Sequence, residues 1–284
     1  MKKTALLFAL FFLCLIALVA EAGPVRVVSQ TVGTDELLLA VADPSQIAAL
    51  SHLAQEPAFS AVAAEAKKYP QLPKNCDLEG ALKFAPTLLL CSDYSRAEIV
   101  AQARRAGMKV IVLTRYYTLQ DAYDNLRLIA RELGPDAEAR AERVVADCEA
   151  RVAKLRERLQ GVKPVRVIAP STYGVIPGDA STFQDMCDHA GAENLAFTLG
   201  KLHGHAAPPN EQMLIWPIDR LVLTGESLEA GLATFRKISP YQYMAAVREG
   251  RAVLIKPYLI SSVTHHRVEG YEQLARALHP DKFQ

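Results

Sequence analysis

No C-x-x-C pair occurs in the 284 residues, so neither a zinc ribbon nor a dithiol redox motif is encoded. There is no G-x-S-x-G elbow, no phosphate-binding glycine loop and no H-E-x-x-H. The nucleophile–base and metal signatures of the common hydrolases are therefore missing. Charge of one sign is also missing. The full chain carries 32 basic and 31 acidic side chains, with no basic run, which argues against nucleic acid as a partner. Tryptophan is almost absent, Trp216 being the only one.

There is one long hydrophobic run, from Ala5 to Ala20. Lys2 and Lys3 precede it and Ala20-Glu21-Ala22 follows it, a small-x-small site. Residues 1–22 thus read as a secretory signal peptide cleaved before Gly23. The run is short for a membrane anchor. The remaining chain is long enough for one large domain or two ordinary ones. It keeps four cysteines, Cys76, Cys91, Cys148 and Cys187. The oxidising compartment permits disulfides. Cys148 and Cys187 read as buried thiols. Cys76 and Cys91 either pair across neighbouring strand ends or stay free.

What is present is an alternation of short apolar runs and helical patterns. Strands are expected at 25–29, 46–51, 88–91 and 109–113, with helices at 34–41, 95–107 and 119–133. Continuously apolar strands alternating with helices mean a parallel sheet covered on both faces. Residues 135–161 break the alternation with one long helix. Val144, Val145, Cys148, Val152, Leu155 and Leu159 step by three and four along one face. After it the pattern restarts, with strands at 165–170, 220–225 and 251–257 and helices at 181–191, 239–250 and 267–280. The expected fold is α/β, with a lobe over 24–134, a linking helix over 135–161 and a second lobe over 162–284.

The lobes also repeat in detail. "DLEGALKFAPTLLL" (77–90) and "NEQMLIWPIDRLVL" (210–223) share a layout. Glu79 and Glu211 open a short helix, Leu82 and Leu214 follow three residues later, then come a proline and an apolar triplet. The apolar repeat, Leu82 and Leu214 included, reads as a core pattern, which is what two similar half-domains would produce. The repeated surface acid needs another reason.

Ligands of open α/β sheets bind beyond the carboxyl ends of the strands. In the first lobe those ends carry Thr31, His52, Tyr94, Arg96, Arg115, Tyr116 and Tyr117. In the second they carry Tyr173 and Tyr258, with His203 and His205 in the loop before Glu211 and His265 before the last helix. Tyrosine joins a flat apolar face to a polar tip and suits a large ring-bearing ligand. Arginine suits its carboxylates through paired hydrogen bonds. One of His52, His203, His205, His265 or His266 could ligate a chelated metal. The plainer reading of each histidine is a hydrogen-bonded loop residue. No spacing supports a resident metal ion.

Together these segments resemble the periplasmic substrate-binding proteins of ABC importers for iron–siderophores, haem and cobalamin. The segments that carry the resemblance are "VRVVSQTVGTDELLLAV", "DLEGALKFAPTLLLCSDYS", "AGMKVIVL", the long helix, "AGAENLA", "NEQMLIWPIDRLVLTG" and "AVREGRAVLI". The resemblance implies a monomer in the periplasm with two lobes bridged by a helix. It implies limited hinge motion, no resident cofactor, and a metal chelate held between the lobes as cargo. It also implies that Glu79 and Glu211 pair with arginines on the two halves of a membrane permease. Two departures are visible. Cobalamin-binding members tend to line the cleft with Trp, whereas Trp216 falls at a helix–strand junction. The proline of the second repeat also comes one residue early. The rival readings are a receptor for free zinc or manganese, which needs several converging His and carboxylate ligands, and a secreted α/β enzyme.

Overall fold

The computed structural model describes residues 24–284. The signal-peptide reading of residues 1–22 lies outside them. Strands β1 (Val27–Ser29), β2 (Ile47–Ala49), β3 (Leu88–Ser92) and β4 (Lys109–Leu113) form an all-parallel sheet in the order β2-β1-β3-β4. Their apolar runs are explained by burial on both faces, and β1, β2 and β3 are buried along their whole length.

The second lobe repeats this plan. β5 (Val165–Ile168), β7 (Ala192–Asn194), β9 (Arg220–Thr224) and β10 (Ala252–Ile255) pair in parallel in the order β10-β9-β5-β7. Counted within its own lobe, each sheet has the order 2-1-3-4. A small antiparallel pair, β6 (Ile176–Pro177) with β8 (His205–Ala206), is added at the second lobe.

Between the sheets runs the helix Pro135–Arg158. Gly134, at φ 107°, separates it from the helix Leu119–Leu133. Proline at the first helical position fits there because its missing N–H would be unpaired anyway. Ala137, Ala141, Val145, Cys148 and Leu155 form its buried stripe. That stripe belongs to one continuous core joining Leu37, Leu90 and Leu126 of the first lobe to Phe183, Met186 and Tyr271 of the second. Each lobe has a further core of its own.

Three expectations need correction. Residues 239–250 are not one helix. Tyr241–Tyr243 is a 3-10 turn, Met244 is extended at ψ 133°, and Ala245–Arg248 is a separate short helix. The break re-aims the chain so that Tyr241, Met244, Ala246 and Val247 are all buried. Cys76 and Cys91 are not paired: all four described cysteines are free. The Cys91 thiol donates to Gln30 Oε1 at 3.3 Å and the Cys76 thiol to the Asp77 carbonyl at 3.2 Å. Finally, Leu82 and Leu214 are not core residues, being 45% and 36% exposed.

Candidate functional site

In a 2-1-3-4 sheet the loops after the first and third strands leave in opposite directions and open a crevice between them. Both lobes have a cavity there. The first, of about 390 Å³, is lined by Gln30, Thr31 and Val32 after β1, Ser51, His52 and Leu53 after β2, and Tyr94, Ser95 and Arg96 after β3. The second, of about 370 Å³, is lined by Ser171, Thr172 and Tyr173 after β5, Thr224 at the end of β9, and Ile260 and Ser261 beyond β10. Phe183, Phe235 and His205 complete it. The two adjoin one junction. Gly33, next to Val32, lies against Val263, two residues from Ser261, and a Cβ on Gly33 would come within 2.5 Å of the valine methyl.

The first cavity has a polar floor. Thr31 caps the helix Val32–Val41 in a reciprocal capping box with Thr34. Ser29 and Ser92 extend the hydroxyl chain. Beneath it lie two buried carboxyls, Asp35 and Glu36, that nothing in the sequence singles out. Asp35 accepts from the backbone N–H and hydroxyl of Ser51 at 3.0 and 2.5 Å. Glu36 accepts from Ala61 N at 2.9 Å and, across the lobe junction, from Thr264 Oγ1 at 2.6 Å. Burial raises both acids to about 7, against the pull of these hydrogen bonds.

At the rim, Tyr94, Tyr116 and Tyr117 form a row. Tyr94 meets Tyr116 edge to face at 6.0 Å, and Tyr116 meets Tyr117 at 5.1 Å. The Tyr116 hydroxyl donates to Asp93 at 2.8 Å. Its pKa is raised by burial first and by that bond second. Tyr173 is 90% exposed at the mouth of the second cavity.

Of the residues expected at the site, Thr31, His52, Tyr94 and Arg96 line the first cavity, and Tyr173 and His205 the second. Arg96 is tethered to the Cys76 carbonyl at 3.0 Å. Tyr116 and Tyr117 join through Tyr94. The others lie elsewhere. Arg115 pairs with Asp121 at 2.8 Å in a separate shallow cavity. His203 pairs with Asp179 at 2.7 Å, behind the β6–β8 pair. Tyr258 packs on the core under Lys256. His265 meets His266 with tilted rings, centroids 4.2 Å apart, beside Cys148 of the long helix. Burial, then its neighbour His266, lowers the His265 ring to about 3, so it is neutral.

The lobe junction is a polar clamp that the sequence did not reveal. Arg267, 1% exposed, donates to the carbonyls of Tyr116 and Tyr117 in the first lobe at 2.8 and 3.0 Å. It also donates to the Ser262 carbonyl at 2.9 Å and to Asp185 at 2.8 Å. Tyr271 donates to the same Asp185 carboxylate. Among the described residues no group of three or more His, Cys, Asp or Glu side chains could hold a metal ion.

Residues 27–259 match the periplasmic binding protein family, and the chain belongs to that family. A curated relative is an uncharacterized ABC transporter substrate-binding lipoprotein, YvrC of Bacillus subtilis (strain 168). It is 22% identical over 218 residues, covering 74% of this chain and 67% of that protein. Solved structures share the fold. The periplasmic heme-binding protein RhuT from Roseiflexus sp. RS-1, in apo form, superposes with a TM-score of 0.77 at 22% identity, over 92% of this chain and 100% of that one. The periplasmic vitamin B12 binding protein BtuF of Vibrio cholerae gives 0.70 at 15% identity, over 91% and 98%.

Proposed function

We propose that this protein captures a metal chelate (haem, a corrinoid or an iron–siderophore) between its lobes in the periplasm and delivers it to a dimeric ABC permease, without chemistry of its own. The observation that carries the reading is the pair of cavities at equivalent switch points, adjoining one junction and rimmed by Tyr94, Tyr116, Tyr117 and Tyr173. Two shallow half-sites with aromatic rims suit a flat or bulky ligand gripped from both sides. Named relatives that bind haem or vitamin B12 on the same fold support it. Arg96 lines the first cavity and suits a ligand carboxylate. Among the described residues the free-ion reading has no ligand cluster to rest on.

Glu79 and Glu211 are the docking acids in this reading. Both are exposed. Neither serves as a helix cap. Asp77 caps Leu78–Leu82, its Oδ1 accepting from Gly80 N at 2.8 Å. Glu211 stands before the 3-10 turn Gln212–Ile215 but makes no side-chain cap bond. Reversing both, Glu79→Lys with Glu211→Lys, sets like charge against basic partner residues. The variant should bind haem, cobalamin or ferric siderophore as the wild type does and fail to support uptake in cells. Normal uptake, or lost ligand affinity instead, would refute the docking role.

A further inference from the structure

Each docking acid comes with an exposed leucine on the same short helical turn. Residues three apart on an α-helix share a face, and on a 3-10 helix they eclipse. Leu82 lies three residues after Glu79, and Leu214 three after Glu211. Acid and leucine are both exposed, while Leu78 and Ala81 in one motif and Met213 in the other point into the cores. Ile215 is 86% exposed beside Leu214, and Leu199 is also exposed. The segment carrying Leu199 packs on the same ridge, since a Cβ on Gly200 would sit 2.8 Å from the Trp216 ring. An aliphatic side chain held out at the same step of two lobes with the same strand order is not explained by packing within this chain.

We infer that Leu82 and Leu214, with Ile215 extending the second, are apolar docking contacts for the permease, each seated beside its glutamate. The inference rests on the delivery role proposed above. The occupant is a membrane partner with two equivalent surfaces, each offering a basic residue next to an apolar hollow. A twofold partner would meet a twofold surface, and the repeated Glu–x–x–Leu pair supplies charge and shape together. Buried aliphatic contacts at the centre of an interface hold it against salt, whereas exposed charge pairs steer encounter and are screened. The larger apolar area around Glu211 makes the second lobe the firmer half of the contact.

The test is photocrosslinking in intact cells, with benzoylphenylalanine placed at position 82, 214, 128 or 243. Leu128 and Tyr243 are exposed controls outside the two motifs. Positions 82 and 214 should crosslink to the membrane subunit of an ABC importer, identified by mass spectrometry, and the controls should not. In parallel, Leu82→Gln with Leu214→Gln should leave haem, cobalamin and ferric-siderophore titrations and thermal unfolding unchanged. It should raise the concentration of binding protein needed for half-maximal uptake by about tenfold, the loss expected when more than one kcal/mol of contact is removed. If Glu79→Lys with Glu211→Lys abolishes uptake but neither leucine position crosslinks the permease, the leucine contacts are refuted and delivery stands. If the charge reversal is also silent, both fall.

Discussion

Arg267 is the residue whose loss the structure prices most sharply. Arg267→Met keeps the length and the apolar stem but removes every donor. It leaves the Asp185 carboxylate buried with Leu119 N at 3.4 Å and the Tyr271 hydroxyl as its hydrogen-bond donors, and His189 Nδ1 at 4.0 Å. It also strips a donor from each of three carbonyls, two of them in the opposite lobe. Breaking a buried ion pair from one side costs about 3–5 kcal/mol. The orphaned carbonyls add to this, though not independently, so a loss of about 5 kcal/mol is expected. For a protein of this size that corresponds to a fall in unfolding midpoint of about 10 °C or more. Equilibrium urea unfolding gives the free energy directly. Two variants frame it. Arg236→Met breaks an exposed pair with Glu229 and should cost under about 1 kcal/mol. Arg267→Met with Asp185→Leu removes both charges and should be more stable than Arg267→Met alone. If Arg267→Met costs no more than Arg236→Met, the clamp does not hold the lobes together.

The remaining predictions concern motion, acidity and contact. The long helix has neither proline nor glycine between residues 136 and 158, and one core runs through it into both lobes. Its bending should be slight, so solution scattering should give nearly equal radii of gyration with and without ligand; a compaction of several ångströms would contradict this. Asp35 stays protonated up to about pH 7 in the fold but only to its ordinary 3.8 when unfolded. Its contribution to stability is therefore full below pH 3.8 and lost as the pH rises to about 7. Relative to Asp35→Asn, the wild type should lose about 3 kcal/mol between pH 5 and pH 8. Groups that do not interact with Asp35, His265 among them, are common to both proteins and cancel, so parallel pH profiles would show that Asp35 is not held protonated. Tyr94→Ala and Tyr173→Ala should each weaken chelate binding by about 2 kcal/mol, and Tyr258→Ala, under Lys256, should leave it unchanged by isothermal titration. Equal effects at all three positions would move the site off the two cavities.

The parallel sheets were legible because β1, β3, β5, β9 and β10 are apolar runs flanked by helical patterns. The long helix was legible from its stripe. β7 was not, because "AEN" at a sheet edge has no hydrophobic signature. β6 and β8, two residues each, fall below any periodic pattern. Residues 239–250 misled because a helix-period pattern is indifferent to one extended residue at Met244. The lining of the two cavities was half visible for a similar reason. Position after a strand placed Thr31, His52, Tyr94 and Tyr173 correctly at the sheet ends. It could not show which loop residues turn back. Tyr258 also follows a strand and His265 precedes the last helix, yet they fold against the core and the long helix. Arg267 and Asp185, 82 residues apart, meet only through tertiary packing. In sequence they are an ordinary charge on each of two amphipathic helices. Leu82 and Leu214 looked like core residues because apolar periodicity carries no information on which face is covered when a helix is barely one turn long.

Visible absorbance of the purified protein titrated with haem, cobalamin and a ferric siderophore tests the capture of a metal chelate most directly. The account predicts that one of the three binds saturably at one ligand, or one stacked ligand set, per protein, with a shifted Soret peak or visible band, and that Tyr94→Ala with Tyr173→Ala removes the shift. No spectral change with any of the three, together with stabilisation by zinc or manganese alone, would contradict it.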